Sequence, residues 1–130
     1  MPITYKYDIE TNTVRTRASG KVKTADLRDY ATKILEDTRI KKGFIEVADF
    51  ETVTDLVVAY REINQFPFVW GKYMEKGCKA VLIYAPSNLS YGIFRMLQTV
   101  ISLRHKNANE LFMVLRTKEE IENKLKDLTS

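Results

Sequence analysis

Cysteine is nearly missing from this chain. Cys78 is the only one, so no disulfide can form within the molecule and no cysteine cluster can hold a metal. A buried structural thiol is the expected role, since a nucleophile needs a partnering base. His105 is the only histidine, beside Arg104 and Lys106, where a cation near a helix carboxyl end is expected rather than a catalytic base. Prolines number 3 and glycines 5, which excludes collagen-like and low-complexity chains. The longest apolar run, residues 80–86, is far short of the roughly 20 residues a membrane span needs. Residues 2–10 alternate polar and apolar groups, unlike a secretory leader, so a reducing cytoplasm is the expected location.

What is present is ordinary for a globular α/β chain. Hydrophobic residues make up 45% and charged residues 29%, and a length of 130 suits a single domain over residues 1–130 with its own core. Lys plus Arg is 21 against 17 Asp plus Glu, a net charge of +4. Arg15, Arg17, Lys21 and Lys23 form the only short basic run, read as a charge-guarded edge strand. Elsewhere positive charges alternate with acids, so no nucleic-acid partner is expected.

Ile3, Tyr5, Tyr7 and Ile9 alternate with polar residues and, across a break at Thr11, Asn12 and Thr13, meet a second extended segment, residues 14–19. The pair predicts an antiparallel hairpin ended by Gly20. Thr24 can cap a helix whose inward stripe is Leu27, Tyr30, Ala31, Ile34 and Leu35, with Lys41 and Lys42 near its negative end and Gly43 as its left-handed exit.

Residues 43–56 organise the rest. Residues 44–50 read as a central strand, apolar on both faces apart from Glu46. A polar loop then leads to Thr54 as the cap of the next helix, with Asp55 in its first turn and Leu56, Ala59, Tyr60 and Ile63 facing inward. Asp49, Thr52, Thr54 and Asp55 would then share the carboxyl edge of the sheet, where open α/β sheets meet ligands and partners. Pro67 begins a second helical piece with Phe68, Val69, Trp70 and Tyr73, closed by Gly77. The aromatics Phe66, Phe68, Trp70 and Tyr73 are either core packing or the wall of an apolar ligand cleft, with Tyr91 and Arg95 at its mouth.

Residues 80–85 predict an interior parallel strand, and Ser87 or Asn88 caps a helix over 89–106 with Ile93, Leu97, Val100 and Ile101 facing in. Gly92 within it suggests close backbone approach, and Arg95 could pair with Asp49 or Asp55 or bind an anion. Residues 107–109 are a turn and 111–115 the last strand. Thr117 and Glu120 form a capping box for a helix with Ile121, Leu125 and Leu128 inward. The order is β-β-α-β-α-β-α-β-α: a mainly parallel sheet led by a hairpin, with helices chiefly on one face. Both faces of the last strands are apolar, so a second copy of the chain is expected to cover the other face as a homodimer.

In its element order, and in residues 18–22 (ASGKV), 44–50 (FIEVADF), 82–86 (LIYAP) and 91–96 (YGIFRM), the chain resembles the STAS domain, the sulfate-transporter and anti-sigma-antagonist fold. It is more closely similar to the bacterial SpoIIAA-like proteins. The resemblance spans nearly the whole chain and implies a regulatory protein-interaction role rather than catalysis. Anti-sigma antagonists carry an Asp-Ser-Ser-Gly-like motif with a phosphorylated serine. Here the spacing after Asp49 puts Val57 or Val58 at that position, and neither can accept phosphate. Thr52 and Thr54 are the nearest hydroxyls.

Two functions follow as expectations. One is a signalling module binding a protein partner through Asp49, Thr52, Thr54 and Asp55. The other is a small-ligand or lipid module using the aromatic cleft, an idea supported by the likeness sometimes drawn between SpoIIAA-like proteins and lipid carriers. No cofactor or metal motif and no complete catalytic constellation is legible, so an enzyme is not expected; only the carboxylates Asp49 and Asp55 could do acid–base work.

Overall fold

The alternation at the amino terminus forms the expected hairpin. In the computed structural model, which describes residues 2–130, β1 (Ile3–Asp8) pairs antiparallel with β2 (Thr13–Lys23), Ile3 opposite Ala18 and Asp8 opposite Thr13. Asn12 closes the turn in a left-handed conformation, φ 52°. Its side chain accepts from the Tyr7 hydroxyl at 2.6 Å and donates to the carbonyls of Lys41 and Lys42, joining the hairpin to a distant loop.

Helix α1 (Thr24–Glu36) buries Leu27, Ala31 and Ile34 on the anticipated stripe. Its ends differ from the expected ones. Thr24 is the first helical residue, and its hydroxyl accepts from the Ala59 N–H at 2.7 Å. Asp26 instead accepts from the Lys23 N–H, 2.9 Å away, at the helix start. The helix stops at Asp37, well before Lys41, Lys42 and Gly43. The Arg39 guanidinium, helped by the Tyr5 hydroxyl at 2.9 Å, holds the Asp37 carboxyl well below the usual carboxylate range. Gly43 does adopt a left-handed φ of 89°, but in the turn entering the next strand, where its N–H donates to Gly77 at 2.7 Å.

The largest departure is in β3 (Ile45–Val57), a strand of 13 residues where a short strand, a loop and a helix start were expected. It pairs in parallel with β2, and two register shifts each leave one extra β3 residue, between Asp49 and Thr52 and between Val53 and Asp55. A bulge of this kind re-aims the side chains that follow it. Phe50, Val53 and Leu56 therefore all turn into the core although they are spaced by three.

A 3-10 turn (Tyr60–Glu62) leads to α2 (Gln65–Lys76), which Gly77 ends at φ 93°. Ala59 and Tyr60 are therefore not part of a helical stripe, and Tyr60 is 90% exposed. β4 (Ala80–Tyr84) pairs in parallel with Ile45–Asp49 only, so β3 continues about 20–25 Å further with β2 as its sole partner. Helix α3 (Asn88–Ser102) is capped by the Ser87 hydroxyl, as anticipated, but ends before Lys106. His105 thus lies beyond the helix, its imidazole against Gly71 of α2. A short α4 (Ala108–Leu111) replaces the expected turn. β5 (Phe112–Leu115) pairs with β4, and α5 (Lys118–Thr129) opens on the Thr117–Glu120 capping box.

The sheet order is β1-β2-β3-β4-β5. Helices α1 to α4 cover one face over Phe44, Ala48, Phe50, Val81 and Ile83. On the other face Ile121, Leu125 and Leu128 of α5 pack on Ile45, Val47 and Leu82. The chain therefore covers its own second apolar face, and the expected need for another copy there is removed. Among the described residues no helix is long and apolar enough to cross a membrane.

Candidate functional site

Three helices and the sheet leave a cavity of about 60 Å³ between them. Leu27, Tyr30 and Ala31 reach it from α1, Phe66, Val69, Trp70 and Tyr73 from α2, and Phe94, Leu97 and Ile101 from α3; β4 and β5 supply Val81, Ile83 and Phe112. A cavity of about 150 Å³ holds a benzene ring, so this one encloses only about two or three non-hydrogen atoms. Trp70 is fixed as a wall by its indole N–H, which donates to Asn107 at 3.1 Å, and by an edge contact with Phe112.

One lining residue is a carboxylate. Glu46 of β3 is fully buried, and its oxygens accept from Thr16 of β2 at 2.7 Å and from Tyr73 at 3.1 Å, with the Tyr30 hydroxyl alongside. Burial raises the Glu46 pKa, and the three hydroxyls oppose that shift. Burial and the neighbouring carboxylate also push both tyrosines well above the ordinary phenol range. Arg28 lines the rim, where it donates to Glu62 at 2.8 Å and to Gln65 at 2.9 Å. Sequence reasoning noticed Glu46 only as a break in an apolar run; a charged residue at an inward position of a central strand was the available signal.

The expected cleft residues divide. Phe66, Trp70 and Tyr73 line the cavity, whereas Phe68 is 69% exposed on the outer side of α2 under Lys72. Tyr91 lies against the Arg116 guanidinium, 4.7 Å from its ring centre, and not at the mouth. Arg95 is exposed and makes no ion pair with Asp49 or Asp55 among the described residues. None of the described residues approaches Gly92, which is exposed with open space where a side chain would stand. Gly92→Ala should therefore raise stability, by up to about 1 kcal/mol, because only the backbone-entropy cost of glycine is removed. Urea denaturation measures this, and a loss of stability would reveal a contact at that surface.

The expected switch residues also separate, because all four lie on β3 and not on a loop and helix start. Asp49 borders a groove of about 430 Å³ on the α5 face, with Lys6, Arg15, Arg17 and Lys118, and its carboxylate accepts from the Glu51 N–H. The Thr52 hydroxyl donates to Ala18 at 3.0 Å. Thr54 is exposed and Asp55 half-buried. Thr54 caps no helix, since α2 begins only at Gln65. Cys78 is buried, its thiol donates to Ala80, and burial pushes its pKa up, so it is a structural thiol. No group of three His, Cys, Asp or Glu suited to a metal ion occurs among the described residues.

A hairpin leading a five-stranded, mainly parallel sheet, with most helices on one face, defines an α/β class shared with solved structures. The fold is similar to that of an uncharacterised protein of the DUF3478 family from Shewanella loihica, described as SpoIIAA-like, with TM-score 0.56 and 15% identity over 95% of this chain and 93% of that one. It is also similar to the Bacillus cell fate determinant SpoIIAA in its phosphorylated form, with TM-score 0.51 and 15% identity over 95% and 98% of the two chains. The unphosphorylated anti-sigma factor antagonist SpoIIAA gives TM-score 0.51 and 14% identity over 95% and 97%. No family model and no curated protein matches the sequence. The chain has the SpoIIAA-like, or STAS, fold.

Proposed function

We propose that the chain is a non-catalytic regulatory module, one SpoIIAA-like domain over residues 1–130, that binds a protein partner at the projecting end of β3. The observation carrying this reading is the β2–β3 ribbon that runs on past β4, with exposed Thr54 and Val57 towards its end and exposed Tyr60 in the 3-10 turn that follows. Val57 is 47% and Tyr60 90% exposed, and amphipathic aromatics at a strand terminus are favoured anchors for a partner. Likeness to an anti-sigma factor antagonist supports a regulatory role. Val57 and Val58, which stand where the phosphoserine of that class is expected, speak against the same serine switch. A lone buried thiol fits a cytoplasmic setting. A photo-crosslinking residue at Tyr60 should capture one discrete protein in the native cell, whereas one at Ile9, at the other end of the sheet, should not. Identical capture from both positions would end this reading.

Self-association is the second part of the proposal. Leu89 and Met96 on α3, and Leu103 just past its end, are exposed one heptad apart, a spacing suited to a helix from a second copy. Light scattering at micromolar concentration should give a dimer mass that Met96→Glu reduces to a monomer. A monomer before substitution would remove the dimer.

A small-ligand function is favoured by a separate observation, the cavity around Glu46. Its size suits a small molecule better than an acyl chain.

A further inference from the structure

Resting on the small-ligand reading of the cavity, we propose that its ligand is a small organic cation of the alkylamine class, whose ammonium group pairs with Glu46.

Glu46 is fully buried, yet the groups that hydrogen-bond to it are neutral hydroxyls, and it belongs to none of the ion pairs among the described residues. Among the described residues Arg28 is the only cationic side chain lining the cavity, and its charge is already engaged by Glu62 at the rim. A carboxylate taken out of water with no cation beside it is costly, and a cationic guest supplies the missing charge. Of the roughly four acceptor sites of the carboxylate, the Thr16, Tyr73 and Tyr30 hydroxyls occupy three, and an ammonium group can donate to the fourth without displacing them.

The walls suit the same guest. Tyr30, Phe66, Trp70, Tyr73, Phe94 and Phe112 put six aromatic rings around the space, and aromatic faces attract cations. The remaining lining is aliphatic and takes an alkyl stem. A carboxylate or phosphate ligand would meet Glu46 with like charge. A neutral alcohol would gain the walls and a hydrogen bond, but not the ion pair. At about 60 Å³ the cavity matches an amine of about two or three non-hydrogen atoms such as ethylamine.

The test is a chemical-shift titration of the full chain with ethylammonium, ethanol and acetate. The amine should shift resonances of the cavity residues and bind about tenfold more tightly than the alcohol, the order expected for a charge-assisted hydrogen bond, while acetate should not bind. Glu46→Gln, which retains an acceptor oxygen, should abolish the amine's advantage and leave the alcohol's affinity unchanged. Ala31→Leu, which fills the space from α1, should weaken both.

Alcohol binding as tight as amine binding overturns the cation assignment and leaves the ligand-cavity reading standing. Binding of neither overturns both. Amine binding indifferent to either substitution places the amine elsewhere and also overturns the proposal. The amine–alcohol comparison needs only the unaltered chain, so it remains decisive should Glu46→Gln fail to fold.

Discussion

Phe50→Ala should lower the unfolding free energy by about 3–5 kcal/mol, the range for removing a fully buried phenylalanine ring. Phe50 is 1% exposed and packs edge-on against Phe94 of α3, with ring centres 4.6 Å apart. It lies where β4 no longer supports β3, so α3 packs against β3 through side chains there and not through a backbone ladder. The loss should therefore include local loosening, with amides of residues 50–57 exchanging faster than those of residues 45–49. Phe68→Ala is the control. Being exposed, Phe68 should change stability by no more than about 0.5 kcal/mol. Equal effects in urea denaturation would mean that the ribbon is not anchored through Phe50.

Glu46→Ala should cost a comparable amount for a different reason. It leaves the Thr16 and Tyr73 hydroxyls buried without their acceptor, about 1–3 kcal/mol each, and enlarges the cavity. Glu46→Gln isolates the charge. Burial raises the folded-state pKa of Glu46 above its unfolded value, so the folded protein binds more protons in the interval between them. The stabilisation from that shift is fully present below the unfolded carboxylate pKa and is lost as pH rises through the folded one. The unaltered chain should thus weaken relative to Glu46→Gln as pH increases through and above the ordinary carboxylate range. The groups facing Glu46 from β2, α1 and α2 are Thr16, Tyr30 and Tyr73, with Cys78 close by; the phenols and thiol have raised pKa values and stay neutral over that range. A stability difference that did not vary with pH would show that Glu46 keeps one protonation state throughout.

The two residues mark where sequence reasoning was informative and where it stopped. Leu27, Ala31 and Ile34, or Val81 and Ile83, carry periodicities that only one element type satisfies, and those elements formed with errors confined to their ends. Residues 50–56 carry Phe50, Val53 and Leu56, buried at intervals close to helical spacing. That spacing comes from two bulges in a strand, set by pairing against β2, and no local rule distinguishes the cases. Placement of Thr54 as a helix cap, and of Asp49, Thr52, Thr54 and Asp55 in one loop, failed for this single reason.

By itself the sequence determined the α/β class, the hairpin, the order of the parallel strands and the absence of disulfide chemistry, because these depend on residue patterns within one element or on composition. Tertiary structure alone decided three matters: that α5 covers the second sheet face, that β3 runs on as a projecting ribbon, and that Glu46 meets Thr16, Tyr30 and Tyr73 at a cavity. Each depends on surfaces from segments far apart in the chain, whose burial is settled by packing and not by local propensity.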